Sequence, residues 1–508
     1  GLTPGESRLA QLGVHGEEEI TVRITYEDGQ EVSRREISRE MLVESVPEIL
    51  VIGPQGDLPA FPIEGTIAYL SNGNAWLIRD NSDGRRALTT EGNLDGRVFA
   101  LAPDGHQLLY TTGITDEIGL PLNELWLAST TIIGDAPTPL DIQGVLQAKW
   151  SPTAAEPTIL YSTGERTAGP PGWRANNDLW LLSLPAELSP IRPPKPVQIL
   201  PANTQGLYPW WGMTFEWSPD GQRLAYARAD QIGIINLPLT ETGAISGSLP
   251  VRATATLSDT ATLSNSFVSL ADFAPLQTFS EWVWVPGLSW SPDGRFIAAT
   301  IHGPPVASEP AEESQVFDLW LLSIDGQIKA KVGEQVGMWA NPAWSEAGIA
   351  FGEAVDPLKS VNSRYTIQLV DRDGSNKRTI FPFQNELGVQ LPELVWSPAA
   401  DQLLFVNGGN LFLTSVSGGA PRQITVDSQA SHPQWVIPQS TITATIPITE
   451  SSGLTSTNTL TDNIEVIPDF AATSAVRPTP IRLTPIATTT VTGTSTISAT
   501  DIDTQKGE

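Results

Sequence analysis

Hydrophobic and polar positions along this chain alternate with the two-residue period of β-strands, in short runs broken by Gly, Pro, Asn and Asp. The runs QLLYTT, TILYST, RLAYAR, FIAATI, GIAFGE and QLLFVN share this character, and a second alternating run follows each: ELWLAS, DLWLLS, IGIINL, DLWLLS, TIQLVD and NLFLTS. Many units add a further run, such as Val197–Leu200 or Arg422–Thr425. A recurring marker stands ahead of them. Trp-Ser-Pro occurs at Trp150, Trp217, Trp290 and Trp396, and two copies continue into Asp220-Gly221 and Asp293-Gly294. Degenerate copies lie at Ala102-Pro103-Asp104-Gly105, Trp344-Ser345-Glu346 and Gln434-Trp435. Pro fixes φ and Gly accepts positive φ, so Pro-Asp-Gly presets a tight turn between a first and a second strand. Four short strands per unit, joined by such turns, predict the blade of a β-propeller.

The first-strand markers are Leu101, Trp150, Trp217, Trp290, Trp344, Trp396 and Trp435, which predicts an all-β fold with seven blades. The two ends of the array complete each other. Residues from Thr66 supply TIAYL, NAWLIR and RRALTT, three strands without a first, while the marker at Trp435 is a first strand with nothing after it. Pairing them closes the ring and removes the open edges that a linear array would expose.

The propeller pattern covers residues 62–439. Ahead of it lie a charge-dense, strand-like zone at 1–53 and a Pro/Gly linker at 54–61. Behind it, residues 440–508 are dominated by Ser, Thr, Ile and Pro without a sustained apolar period, so this tail cannot bury enough surface to offset its ordering entropy and is predicted to be disordered or a stalk carrying sugars. The Pro-Asp-Gly repeats over 62–438 resemble TolB-like propeller repeats, a likeness that specifies fold and is nearly silent on function. Residues 1–53 resemble the five-glycine (G-five) adhesion module through Gly5, Gly13, Gly16, Gly29 and Gly53, with a hairpin turn at Tyr26-Glu27-Asp28-Gly29 and Pro47 before a closing strand. A first strand of that module is missing ahead of Leu2. The second resemblance implies an extracellular bacterial setting and a link to adhesion and to binding sugars of the N-acetylglucosamine type.

Composition narrows the chemistry. Asp and Glu outnumber Lys and Arg 57 to 29, for a net charge of −28. Such a surface repels phosphate backbones and anionic lipid, which argues against nucleic acid and membrane surfaces as partners. The absence of Cys removes disulfides, thiol nucleophiles and cysteine-type metal sites. His15, His106, His302 and His432 are scattered. No apolar run approaches the ~20 residues of a membrane helix. The chain opens at Gly1 without a signal-peptide pattern, as expected of a processed product. Asp371-Arg372-Asp373-Gly374 reads as a turn rather than a calcium loop, because the downstream bidentate Glu is missing. No cofactor and no metal are expected.

The 16 tryptophans divide by position. Ten sit at repeat positions and read as packing between blades. Six fall outside the repeat: Trp173, Trp210, Trp211, Trp282, Trp284 and Trp339. Five of them precede first strands, and Trp173 lies between a second and a third strand, so all six map to one face of the disc, with Tyr208 beside them. Two readings stand. Aromatics around a propeller mouth suit stacking on sugar rings or anchoring a protein; alternatively, long loops carry their own small cores, as Trp282–Val285 would if it formed an added strand. The same face carries Asp116, Glu117, Glu165, Glu281, Glu353 and Asp356, from which a glycoside hydrolase would need one pair, but no Gly-x-Ser-x-Gly elbow, phosphate-binding Gly loop or His-Glu-x-x-His is present. The leading expectation is a non-enzymatic extracellular or cell-envelope binding or scaffold protein that meets a protein partner or cell-surface glycan through the propeller loop face. The alternatives are a carbohydrate-active hydrolase or lyase at the propeller mouth, and the sensor ectodomain of an envelope protein.

Overall fold

The computed structural model describes residues 7–11, 17–27, 30–44, 46, 49–52, 58–115, 119–132, 134–153, 157–185, 194–237, 267–278, 282–383 and 387–437. The 440–508 tail lies outside these residues, as does the first half of the 54–61 linker. In the N-terminal zone, Glu17–Glu27 and Gln30–Val43 pair as an antiparallel hairpin closed by Glu27 opposite Gln30, and Ser7–Gln11 pairs with Ile49–Ile52.

The propeller consists of seven four-stranded antiparallel sheets, one of which carries an added strand. We designate the strands of each blade a to d in their order across the sheet. Blade 1 is assembled from both ends of the repeat array: Ser431–Val436 is strand a, followed by Pro62–Ser71, Asn74–Asn81 and Arg85–Ala87. The predicted ring closure is therefore present. The remaining a strands are Leu94–Leu101, Val145–Trp150, Thr214–Trp217, Leu288–Trp290, Ala343–Ser345 and Leu394–Trp396, each ending on its marker or one residue past it. Each a strand touches that of the next blade, and blade 7 returns to blade 1, so the seven form a closed inner wall.

Local chemistry explains why the marker has its composition. In blade 4, Ser218 Oγ donates to Asp220 Oδ1 and accepts the Arg223 N–H at 2.9 Å, while Gly221 takes φ +67°. Blade 5 repeats this with Ser291, Asp293, Phe296 and Gly294. Ser and Asp thus satisfy the polar groups of the hairpin, and Gly supplies the left-handed turn residue. In blade 7, Ala400 stands in the corresponding turn with φ +56°.

The marker tryptophans explain how blades attach to one another. Their rings pack between sheets, and several indole N–H groups donate to an adjacent backbone: Trp150 to Ala100 O at 2.9 Å, Trp290 to Glu216 O at 3.1 Å, and Trp396 to Ala343 O at 2.9 Å. Each of these bonds reaches the a strand of the preceding blade. Trp435 instead donates to Glu64 O at 2.6 Å within blade 1. Blades 3 and 4 are joined further by Gln147, which bonds both backbone groups of Phe215, and by the Lys149–Glu216 ion pair at 2.6 Å. Phe61 packs into the blade 7–blade 1 cluster beneath Arg422.

Candidate functional site

Because the strands run antiparallel, the b–c loops and the connections from strand d to the next strand a open on one face, and the a–b and c–d turns open on the other. The six off-repeat tryptophans and Tyr208 occupy the first of these, the loop face. Large exposed hydrophobics gather there too. Of the twelve in the described propeller, eight lie in loop-face connections, among them Leu207, Val306, Val355, Leu358, Phe383 and Leu391. Ile132 and Ile328 are the two in loops of the opposite face.

The tryptophans do not form one group. Trp282, Trp284 and Trp339 belong to a loop core with Leu276, Phe317 and Met338. Trp284 is 2% exposed, lies 4.9 Å from the Phe317 ring centre, and donates its indole N–H to Met338 O at 3.1 Å. It is buried and presents no surface to a ligand, which corrects its place among the candidate binding residues. Trp282–Val285 forms no strand either, although its Val283 and Trp284 are buried. Trp282 and Trp339 stay half-buried with ring centres 6.2 Å apart, and Trp339 donates to Val361 O. His302 shares this core: its ring nitrogens stand 2.7 Å from the carbonyl oxygens of Ala274 and Ser314, so it ties two loops together.

The second group is more open. Trp173, Tyr208, Trp210 and Trp211 are all half-buried. Trp173 lies in an added strand, Trp173–Ala175, that pairs with the extended b strand of blade 3, rather than in an irregular loop. Trp211 stacks obliquely against Trp173, with ring centres 5.0 Å apart and planes at 42°. Trp210 meets Trp211 edge-on at 5.7 Å, and Tyr208 meets Trp210 at 6.3 Å. The loop that presents them is held by Asn177, whose amide donates to Pro209 O at 2.6 Å and Asn203 O at 3.1 Å, and by the Ala175 N–H bonded to Trp210 O. Gly212, at φ +94°, lets the chain turn back against Ala175.

Beneath Trp173 and Trp211 lies a pocket of about 150 Å³. Its polar lining includes Arg97 from blade 2, Gln147 and Ser162 from blade 3, and Thr214 at the start of blade 4. Arg97 was not among the residues singled out from sequence. Its guanidinium lies over the Trp173 ring, 5.1 Å from the centre. Surrounding protein desolvates this group and holds its pKa below the ordinary arginine value; the Arg166 charge adds to that effect, and Asp95 opposes it. The Asp95 carboxylate is otherwise engaged, by Thr111, by Asn123 at 2.9 Å and by the Arg97 backbone N–H at 3.0 Å.

Among the candidate carboxylates, Glu165 pairs with Arg174 at 3.1 Å and Glu353 with Lys377, so both serve as surface ion pairs. Asp116, Glu117 and Glu281 lie outside the described residues. Asp373 accepts from Ser375 within its own turn. No group of three or more potential metal ligands occurs among the described residues, and no helix there is long and apolar enough to cross a membrane.

Residues 1–55 match the G5 domain family. No curated protein matches the chain. Solved structures similar to it include a putative TolB from Agrobacterium tumefaciens, at 14% identity and a TM-score of 0.34, covering 73% of this chain and 90% of that one. The periplasmic gluconolactonase of Pseudomonas aeruginosa is similar at 13% identity and a TM-score of 0.43, covering 73% and 99%. The WD40 domain of Toxoplasma gondii coronin is similar at 12% identity and a TM-score of 0.39, covering 72% and 77%. At these identities the likeness concerns the fold alone.

Proposed function

We propose that this protein is a non-enzymatic binding or scaffold protein of the extracellular space or cell envelope, and that its propeller meets a protein or glycan partner through the loop face. The observation that carries this reading is the one-sided distribution of exposed apolar side chains, with the half-exposed Trp173, Trp210 and Trp211 on the same face. An apolar surface rimmed by polar loops marks interaction sites, and aromatics dominate the energetics of such contacts. The adhesion-type N-terminal domain supports the setting and the role.

The test compares wild type with a Trp210→Ala/Trp211→Ala variant in glycan-array binding and partner pulldown. Truncating a hot-spot aromatic typically costs about 2–4 kcal/mol, or roughly 30- to 1,000-fold in affinity. Loss on that scale with an unchanged melting temperature is expected. A variant that melts earlier yet binds as wild type does would sink the proposal, since the two indoles would then serve only the loop.

A further inference from the structure

The pocket under Trp173 and Trp211 combines features that packing does not require. Arg97 forms neither a hydrogen bond nor an ion pair through its guanidinium among the described residues, although the chain carries 57 acidic residues that could have supplied a partner. Arg97 is exposed at the pocket rim and the Asp95 charge lies near it, but the Asp95 carboxylate oxygens are taken by other donors, so the guanidinium donors stay open to a ligand that brings its own acceptors. The guanidinium carbon of Arg97 lies 5.1 Å from the centre of the Trp173 ring, and its unbonded donors can form a bidentate pair with a carboxylate. The hydroxyls of Ser162 and Thr214 also line the pocket, and no hydrogen bond to either is present among the described residues. Gln147 and Asn177, in contrast, are committed to backbone groups and complete the wall.

Size selects the ligand further. A volume of about 150 Å³ falls well below the roughly 300–1,000 Å³ of sites for drug-sized molecules. It matches the roughly 150 Å³ cavity that accommodates one benzene ring. The site therefore takes a single six-membered ring. The tilted indoles offer apolar faces to ring C–H groups, the two hydroxyls offer partners to ring substituents, and Arg97 offers a charge-assisted pair to one acidic substituent.

We infer that this pocket is a binding subsite for a carboxylate-bearing saccharide ring, with Arg97 holding the carboxylate and Trp173 and Trp211 holding the ring. The inference rests on the loop-face reading above and names a ligand class for one part of that face.

The test is titration of the full chain with D-glucuronate and D-galacturonate, followed by tryptophan fluorescence and calorimetry, with D-glucose, D-galactose and acetate as comparison probes. Uronates should bind at least tenfold more tightly than the neutral sugars and than acetate. Arg97→Gln should remove that preference, and Arg97→Lys should restore part of it, because a point charge replaces the fork only partly. Trp173→Ala should weaken all the sugars. Equal binding of acetate and uronate, or an uronate preference that survives Arg97→Gln, would overturn the inference. If wild type binds no uronate while partner capture still depends on Trp210 and Trp211, the pocket assignment falls and the loop-face reading stands. If uronate binding follows Arg97 while partner capture ignores those two residues, the subsite stands and the wider reading falls.

Discussion

Trp435 offers the sharpest test of how the ring is held shut. It is 8% exposed and packs with Ile67, Tyr69 and Ile78 of blade 1 against Leu404, Leu411 and Leu413 of blade 7. Its indole N–H also satisfies Glu64 O. Trp435→Ala removes a buried ring at the one blade whose strands come from opposite ends of the repeat array, and such truncations cost about 3–5 kcal/mol. The unfolding entropy of roughly 2.1 cal/mol/K per residue, over roughly 375 propeller residues, is about 0.8 kcal/mol/K. The melting temperature should therefore fall by about 4–6 °C. Trp435→Phe keeps most of the apolar area but orphans the Glu64 carbonyl, so its share should be nearer about 1–3 kcal/mol. Thermal and urea unfolding of the full chain, followed by far-UV circular dichroism, measures both. If Trp435→Ala leaves the melting temperature within about 1 °C of wild type, strand a of blade 1 contributes nothing to closure and the assembly from two chain ends is wrong.

Two further outcomes follow from the turn chemistry. Ala400 holds φ +56° where blades 2, 4 and 5 have Gly105, Gly221 and Gly294, so Ala400→Gly relieves about 1–2 kcal/mol of left-handed strain while adding about 0.5–1 kcal/mol of unfolded-state entropy; the urea midpoint should rise slightly, and a fall would contradict the strain. At the blade 5 turn, partial burial alone would raise the Asp293 pKa, but the hydrogen bonds from Ser291 and from Arg295, with the Arg295 charge, outweigh it and bring the carboxyl from 3.8 to about 2. A depressed carboxyl pKa stabilises the fold above the unfolded value and loses that contribution as pH falls through the folded one. Asp293→Asn should therefore be less stable than wild type above about pH 4 and converge on it near pH 2, in chemical denaturation at stepped pH; parallel curves over that range would refute the assignment.

Much of the fold is legible because each blade repeats one solution to one problem. A first strand lies against its neighbours and then turns sharply, so Trp, Ser, Asp and Gly recur together, and the seven markers fall on the seven a strands. The pattern breaks where insertions intervene. Phe267–Asp272 is strand d of blade 4, but residues 237–266 separate it from strand c, Gln231–Asn236, and nothing in its short run FVSLAD advertises the pairing. Trp282–Val285 fails in the opposite sense. Its run of β-formers has the composition of a strand, but Trp284 packs against Phe317 and Met338, so the adjacent Val283 and Trp284 are buried without any ladder to join.

The candidate site shows why a face is easier to read than a pocket. Topology alone sends every d–a connection to one end of the disc, and this places the off-repeat tryptophans together without any knowledge of their contacts. Which of them open to solvent depends on neighbours far away in sequence: Phe317 helps bury Trp284, whereas Trp173 stays half-buried against Trp211 and Arg97 of the previous blade. Arg97 itself left one sign. The a strand of blade 2 is longer than the others between blades 3 and 7, lacks the Trp-Ser-Pro marker, and carries Asp95-Gly96-Arg97 within it. Gly96 takes φ +73°, and the pairing register shifts between Leu94 and Phe99, so the strand bulges at this point. A bulge in an inner strand re-aims a side chain. Here Asp95 turns to Thr111 and Asn123, while Arg97 reaches across to the Trp173 indole. The inner strands of blades 1, 2 and 3 all break register, and the break in blade 2 is the one that carries Arg97 to the loop face.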